Sequence, residues 1–328
     1  MNPLRPLGLG ELIDRSVNFW RANWKPLFQL MLGFQLVEGT VLALTQGLVR
    51  VLFPLARDPD ALNHRPLEAL PHLMGSMALF TVAILGTLLV AQVAGVAATH
   101  FSFSRLAAGG QPNGADAFRH AAARLGTTTL TFLLSMGWSF VVMIVLMLPA
   151  VVLGVGAAAL GGAEQRGAAI ALGVLAALAL IVGTIVLVLW FAIRFILVSQ
   201  IIAIEPLGAM ATFRRANALS SGRIGAGLVG LVKVRLTILV TIVGLVLIIM
   251  STVASLPTLL AGAAFGANFT PGHTLNDVVP LYVLLPLQLL QSILGALLAP
   301  LYVVFQTFFY TDMRVRREGL DLELALGT

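Results

Sequence analysis

One carboxylate stands alone inside a long apolar run. Glu38 is the single charged residue between Lys25 and Arg50. A carboxylate in hydrocarbon is costly, so it must be protonated, paired or in contact with a wet cavity. Proton or cation coupling through Glu38 is one hypothesis. The alternatives are a structural pair with Gln35, Gln46 or a polar group of another helix, and a position near a wet end of the run.

Two further charges flank the end of the fourth apolar run. Arg194 and Glu205, with Gln200 between them, fit contacts with lipid headgroups or ion pairs with the charged tail. For Arg194 the alternative is snorkelling toward the membrane interface. Glu38, Arg194 and Glu205 together form the candidate intramembrane polar site.

Other bases stand where apolar runs begin or end. Such Arg and Lys side chains attract anionic phosphates without selecting one ligand. The candidate lipid-headgroup contacts are Arg223, Lys233, Arg235, Arg314 and Arg316.

Patterns for other chemistry are weak. Gly225, Gly227 and Gly230 form GxGxxG, but no strand precedes them to make a dinucleotide loop. We interpret Gly222, Ala226 and Gly230 instead as a small-residue face for close helix packing. The five histidines show no ligand spacing, and the lack of cysteine excludes thiolate ligands and disulfides. The sequence therefore predicts no catalytic set, metal site or cofactor.

Composition indicates which elements must position these residues. Of the 328 residues, 59% are hydrophobic and 10% charged, with a mean hydropathy of +0.97. Soluble domains carry about a quarter charged residues, so this chain lacks the polar surface of a soluble globule. The pI near 10.7 could indicate nucleic acid, but the charges lie in short clusters between long apolar runs. That distribution is typical of a membrane protein, and we expect no nucleic-acid partner.

The apolar runs predict an all-α integral membrane fold with about six spanning helices. Each run exceeds the length of about 20 residues that crosses the hydrocarbon core, and none alternates as a strand would. The predicted spans cover residues 26–48, 73–99, 128–158, 168–203, 228–260 and 279–309.

Basic residues predict the orientation. With the N-terminus inside, 16 of the 20 Lys and Arg residues fall on that side, and the other side holds Arg50, Arg57, Arg65 and Arg166. Cytoplasmic loops carry the excess of such residues, so both termini are expected in the cytoplasm. Six spans agree with that parity.

An internal repeat organises the chain. Residues 9–24 form an amphipathic helix with an apolar face of Leu9, Ile13, Val17, Trp20 and Trp24, which is expected to lie in the membrane interface. Similar segments begin at Gly114 and Leu207, before the third and fifth spans. We predict one membrane domain over 1–328, built from parallel repeats at 8–110, 111–205 and 206–328. Each repeat would be an interfacial helix followed by a transmembrane hairpin.

Three stretches resemble the membrane domain of bacterial glycerophosphoryl diester phosphodiesterases. They are LGELIDRSVNFWRANWKPL from Leu9, AIEPLGAMATFRRANALSSGR from Ala203, and the tail FYTDMRVRREGLDLEL from Phe309. The tail is the most specific, with Tyr310, Asp312, Arg314, Arg316, Glu318, Gly319 and Asp321 matching the family's ending after the last span. The resemblance implies a multi-span protein of the bacterial inner membrane with this tail inside. These residues supply neither the family's soluble barrel nor its metal ligands, so no hydrolase activity is implied.

Three functions follow as hypotheses. The first is a non-enzymatic accessory or scaffold component of the inner membrane that contacts lipid headgroups or partner proteins. The second is a transporter or channel for a lipid-related or small polar solute, with a cavity lined by Glu38, Gln92, Thr128 and Gln291. The third and weakest is an intramembrane enzyme acting on phospholipid or glycerophosphodiester.

Overall fold

The computed structural model describes residues 5–57, 64–108, 112–160, 165–225, 227–266 and 279–320. In these ranges the chain is almost entirely helical, and one isolated antiparallel bridge joins Arg223 to Leu231. The α-helices are α1 (Leu9–Ala22), α2 (Trp24–Leu52), α3 (Pro66–Ala108), α4 (Gly114–Ala123), α5 (Leu125–Ala159), α6 (Arg166–Phe195), α7 (Val198–Ile204), α8 (Ala209–Leu219), α9 (Val232–Ala264) and α10 (Leu281–Glu318). Asp321 of the tail and Ala226 lie outside the described residues.

Within the described residues, six segments are long and apolar enough to cross a membrane. They are Trp24–Leu52, Pro66–Ala107, Leu125–Ala159, Arg166–Ile204, Val232–Ala264 and Leu281–Glu318. The predicted all-α fold with about six spanning helices is confirmed.

Large apolar side chains cover the outside of these segments. Val145 is 64% exposed, Ile181 56% and Ile248 63%. Soluble monomers rarely expose apolar surface on this scale, so the medium around these helices is lipid. Hydroxyl groups within the spans donate to carbonyls of their own helix, as Thr184 does to Leu180 at 2.8 Å. Such bonds satisfy polar groups that lipid cannot.

The fourth predicted span, 168–203, matches the segment Arg166–Ile204, but this segment is not one continuous helix. Helix α6 ends at Phe195, a turn follows at residues 196–197, and α7 begins at Val198. Residues 198–203 are all buried, so the run ends in the protein interior. Apolar residues suit lipid and protein interior equally well, and hydropathy does not separate the two environments.

Gly222 and Gly230 lie outside the α-helices, so the predicted helical packing face of Gly222, Ala226 and Gly230 is wrong for these two residues. Gly222 and Gly227 have φ of +93° and +73°, which favour glycine. A Cβ at Gly230 would overlap the Gly225 carbonyl oxygen. The predicted fifth span, placed from residue 228, begins as α9 at Val232 after a short 3₁₀ turn at Leu228–Gly230.

The chain divides into two compact units. Unit 1 comprises Met1–Leu125 and Thr241–Thr328, and unit 2 comprises Gly126–Val240. Along the chain, a short helix followed by two long ones occurs three times, beginning at α1, α4 and α8. This is the order that the repeat hypothesis requires. The repeat and its three boundaries stay predictions.

Helices α2 and α10 form the centre of unit 1 and run antiparallel. Gln46 meets Gln288, Gly39 faces Ser292 and Gln35 faces Gly295, so the residue numbers rise on one helix as they fall on the other. Helix α3 packs against both. The last turns of α10 are enclosed by protein, with residues 303–313 buried.

The amphipathic helix α1 packs on α10. Its buried residues are Leu12 and Ser16, whereas Ile13, Val17 and Trp20 of the predicted apolar face are half-buried. The Trp20 indole donates to the Leu297 carbonyl at 3.2 Å. The position of the apolar face in the membrane interface stays a prediction.

Candidate functional site

A polar seam runs between α2 and α10 in unit 1. The Gln35 side chain donates from Nε2 to Glu38 Oε2 at 2.9 Å, and Gln288 donates from Nε2 to Gln46 Oε1 at 2.6 Å. Glycine makes room for these groups, since a Cβ at Gly295 would lie 2.5 Å from Gln35 Oε1. The predicted pairing of Glu38 with Gln35 is confirmed, whereas Gln46 pairs across to α10.

The seam adjoins an open groove of about 600 Å³ between α2, α9 and α10. Its polar lining residues are Gln35, Gln291, Ser251, Thr252 and Ser255, and its apolar ones are Leu247, Ala254, Leu298 and Ala299. Gln291 donates to Thr258 Oγ1 at 3.1 Å. A groove lined by both polar and apolar side chains suits an amphipathic molecule.

Glu38 does not line this groove but is hydrogen-bonded to Gln35, which does. Its Oε2 accepts from Gln35, which lines the groove, and its Oε1 is buried with no hydrogen-bond partner among the described residues. A buried acceptor that lacks a donor costs about 1–3 kcal/mol of stability, and a charged acceptor costs more. One carboxylate oxygen of Glu38 is therefore hydrogen-bonded, and the other has no partner among the described residues.

The cavity predicted by the transport hypothesis is realised only in part. Gln291 lines the groove, but Gln92 lies on α3 and does not line it. Thr128 belongs to unit 2 and is 2% exposed. The groove's serine and threonine wall on α9 was missed, because isolated hydroxyls in an apolar run satisfy themselves within their helix.

In unit 2, Arg194 sits among aromatic rings. Its Cζ lies 5.7 Å from the Trp138 ring centroid, 5.1 Å from that of Trp190 and 5.7 Å from that of Phe213. Cations over aromatic faces at this range gain about 0.5–2 kcal/mol each. Arg194 Nε is buried and has no acceptor in the described part of the chain. Trp190 lies four residues before Arg194 on α6 and could be expected beside it, whereas Trp138 and Phe213 come from other helices and could not.

Glu205 lies in the same unit and pairs with Arg215. The Arg215 Nε donates to both carboxylate oxygens, at 3.2 and 3.1 Å. The predicted site of Glu38, Arg194 and Glu205 thus divides, with Glu38 in unit 1 and the other two in unit 2.

The predicted headgroup contacts in unit 2 differ in exposure. Lys233 is exposed, whereas Arg235 is only 6% exposed and is enclosed by protein. Arg223 is exposed, but its guanidinium donates to the carbonyls of Gly225 and Gly227 at 2.8 and 3.3 Å. The glycine-rich loop therefore folds around Arg223.

The tail bases of unit 1 are held by acids of their own helix. Arg316 Nε donates to both oxygens of Asp312 at 3.0 and 3.1 Å, and its Nη2 donates to the Leu7 carbonyl at 2.7 Å. Asp312 also accepts from the Leu7 N–H at 2.7 Å. We call Leu7, Asp312 and Arg316 the terminal clamp. Arg314 pairs with Glu318 at 2.9 Å. Lipid contact by these bases stays a prediction.

Two histidines that are distant in sequence also meet in unit 1. The rings of His100 on α3 and His120 on α4 stack with centroids 3.9 Å apart. The described residues contain no group of three or more His, Asp or Glu side chains placed to hold a metal ion.

Comparison with protein-family models, with curated proteins and with solved structures finds no match for this chain.

Proposed function

We propose that this chain is a non-enzymatic component of a bacterial inner membrane that binds lipid-related molecules within the bilayer. The groove between α2, α9 and α10 carries the proposal. Its polar side chains can bind a headgroup or ester oxygen, while its apolar side chains can contact hydrocarbon. Ligand sites of this kind are mostly apolar with a few placed polar groups.

The charge distribution and the sequence resemblance support the location. The excess of Lys and Arg on one side favours cytoplasmic termini, and the tail resembles that of bacterial membrane domains. Partner proteins on the cytoplasmic face belong to the same proposal, since α1 and α4 display charged surfaces there, including Asp14 and Arg119.

Photo-crosslinking tests the groove. Proteoliposomes would contain phosphatidylglycerol with a diazirine in one acyl chain, and labelled peptides would be mapped after irradiation. We expect Leu298 and Ala299 of the groove to be labelled above the level of lipid-facing Ile181. Labelling that merely follows exposure across all helices would contradict the proposal.

A matched pair of variants sharpens that experiment. Ser255→Leu fills the groove and should abolish the excess labelling there. Thr81→Leu makes a similar change on the exposed face of α3, where the hydroxyl likewise bonds its own helix, at 2.8 Å to Met77. It should leave the excess unchanged. Equal effects of the two variants would show that the groove itself is not the binding site.

Transport is the second candidate function, and the half-satisfied carboxylate of Glu38 favours it. Movement of an NBD-labelled phospholipid between leaflets of proteoliposomes would be followed under an imposed pH gradient. Glu38→Gln keeps the shape but removes the titratable group, so the pH dependence should be lost. Glu68→Gln, at an exposed glutamate in the first turn of α3, should leave it intact. Absence of movement by wild type, or equal pH dependence in Glu38→Gln, would exclude coupled transport of this lipid.

A further inference from the structure

Within the described residues, no acid pairs with Arg194 of unit 2. Arg194 ends α6, where the helix dipole favours positive charge, and its guanidinium faces are occupied by rings. Rings satisfy the faces of a guanidinium but not its five N–H donors. The acid nearest in sequence, Glu205, is bonded to Arg215. Glu164, the other acid of unit 2, lies outside the described residues.

An apolar groove shares two of those rings. It has a volume of about 530 Å³ and lies between α5 and α8, lined by Leu130, Leu133, Gly137 and Val141 with Trp138 and Phe213. Trp138 and Phe213 therefore form both the wall of the groove and part of the surroundings of Arg194. These two rings thus place an apolar surface that can bind an acyl chain next to a cation that can bind a negative charge.

From this juxtaposition we propose that unit 2 binds an anionic phospholipid, with one acyl chain in the groove and the phosphate on Arg194. A guanidinium edge presents paired donors that match phosphate oxygens, and Arg is preferred over Lys at such sites. Leu133 is 58% and Met210 52% exposed, so the groove is open to a chain from the surrounding lipid. A second copy of this protein fits less well, because each copy carries a net charge of +6.

This site is independent of the groove in unit 1, and either can fail without the other. The test is native mass spectrometry of the full chain titrated with phosphatidylglycerol or phosphatidylcholine. Wild type should prefer phosphatidylglycerol by about five- to tenfold, the range expected for one well-placed base near a phosphate. Arg194→Gln should abolish that preference.

Arg166→Gln is the matched charge control. Arg166 is exposed at the opposite end of the same helix, so its loss removes one positive charge without touching the groove. It should leave the preference intact. Equal loss of preference in both variants, or retention of it in Arg194→Gln, would overturn the proposal.

The groove has its own variant. A Cβ added at Gly137 meets no atom within 4 Å, so Gly137→Leu can direct its side chain into the groove that Gly137 lines. It should weaken binding of phosphatidylglycerol severalfold, whereas Gly154→Leu on the same helix, also free of contacts, should not. Equal affinity for glycerol phosphate without acyl chains, or a dimer broken by Gly137→Leu with lipid binding unchanged, would overturn the lipid assignment.

Discussion

At the scale of single residues, the terminal clamp gives the tail motif a physical reason. The Asp312 side chain is fully buried, and it binds both the Leu7 N–H and the Arg316 guanidinium. The clamp joins the chain before α1 to the end of α10, which are separated by about three hundred residues of sequence. Tying down a terminus in this way suppresses its fraying.

Asp312→Asn should therefore destabilise the protein strongly. The amide keeps the shape but removes the charge opposite Arg316, and breaking such a buried pair costs about 2–4 kcal/mol. The measurement is thermal unfolding in detergent, together with hydrogen exchange of the backbone around Leu7, which should become faster.

Asp116→Asn supplies the control. Asp116 pairs with Arg119 at 3.2 Å in an i,i+3 arrangement, but the two side chains are 59% and 76% exposed. Exposed pairs contribute about 0–1 kcal/mol, so this change should be close to neutral. Losses of similar size in both variants would show that the terminal clamp has no special role.

Some side-chain contacts could be predicted from the spacing of residues along the sequence. The Gln35–Glu38 bond joins residues three apart on one helix, and that contact follows from helical geometry alone. The Trp138 and Phe213 rings near Arg194 and the Leu7 partner of Arg316 come from distant parts of the sequence. Spacing carries no information about such contacts.

At the scale of elements, the packing of α2 on α10 depends on small residues. A Cβ at Gly39 would overlap Ser292 Oγ and lie 3.2 Å from Ser292 Cβ. Helices in membranes associate through such close approaches, because lipid provides no hydrophobic drive between them.

Gly39→Ala should thus lower stability by about 1–3 kcal/mol through overpacking. Gly47→Ala on the same helix adds a methyl group where nothing lies within 4 Å, and the helix propensity of alanine should raise stability by up to about 1 kcal/mol. Thermal midpoints of the two variants measure both effects. Gly39→Ala combined with Ser292→Gly should recover part of the loss, and strictly additive losses would contradict the packing account.

Hydropathy predicted the long elements well, and their irregularities poorly. The six apolar runs became six spanning segments because length and composition suffice for that inference. The break at residues 196–197 contains neither proline nor glycine. The loop around Arg223, by contrast, could have been inferred from the density of glycine between Gly222 and Gly230.

At the scale of the whole molecule, six spans and the distribution of bases predict that both termini share one side of the membrane. This arrangement decides which leaflet each groove faces. The two compact units do not follow the predicted repeats, because α9 passes from unit 2 into unit 1 between Val240 and Thr241. Sequence similarity between segments reports possible ancestry, whereas packing is decided by contacts that the sequence does not display.

Cysteine labelling tests this arrangement most directly. The natural chain has no cysteine, so a single introduced thiol is the only one that reacts. The sites are exposed arginines outside or at the ends of successive spanning segments, replaced one at a time in the variants Arg65→Cys, Arg119→Cys, Arg166→Cys, Arg214→Cys and Arg317→Cys. A membrane-impermeant maleimide would be added to intact spheroplasts and again after permeabilisation.

If both termini are cytoplasmic, Arg65→Cys and Arg166→Cys should react in intact spheroplasts. The variants Arg119→Cys, Arg214→Cys and Arg317→Cys should react only once the membrane is opened. Labelling of Arg317→Cys before permeabilisation would contradict this topology. It would place the tail outside, whereas six spans require both termini to lie on the same side.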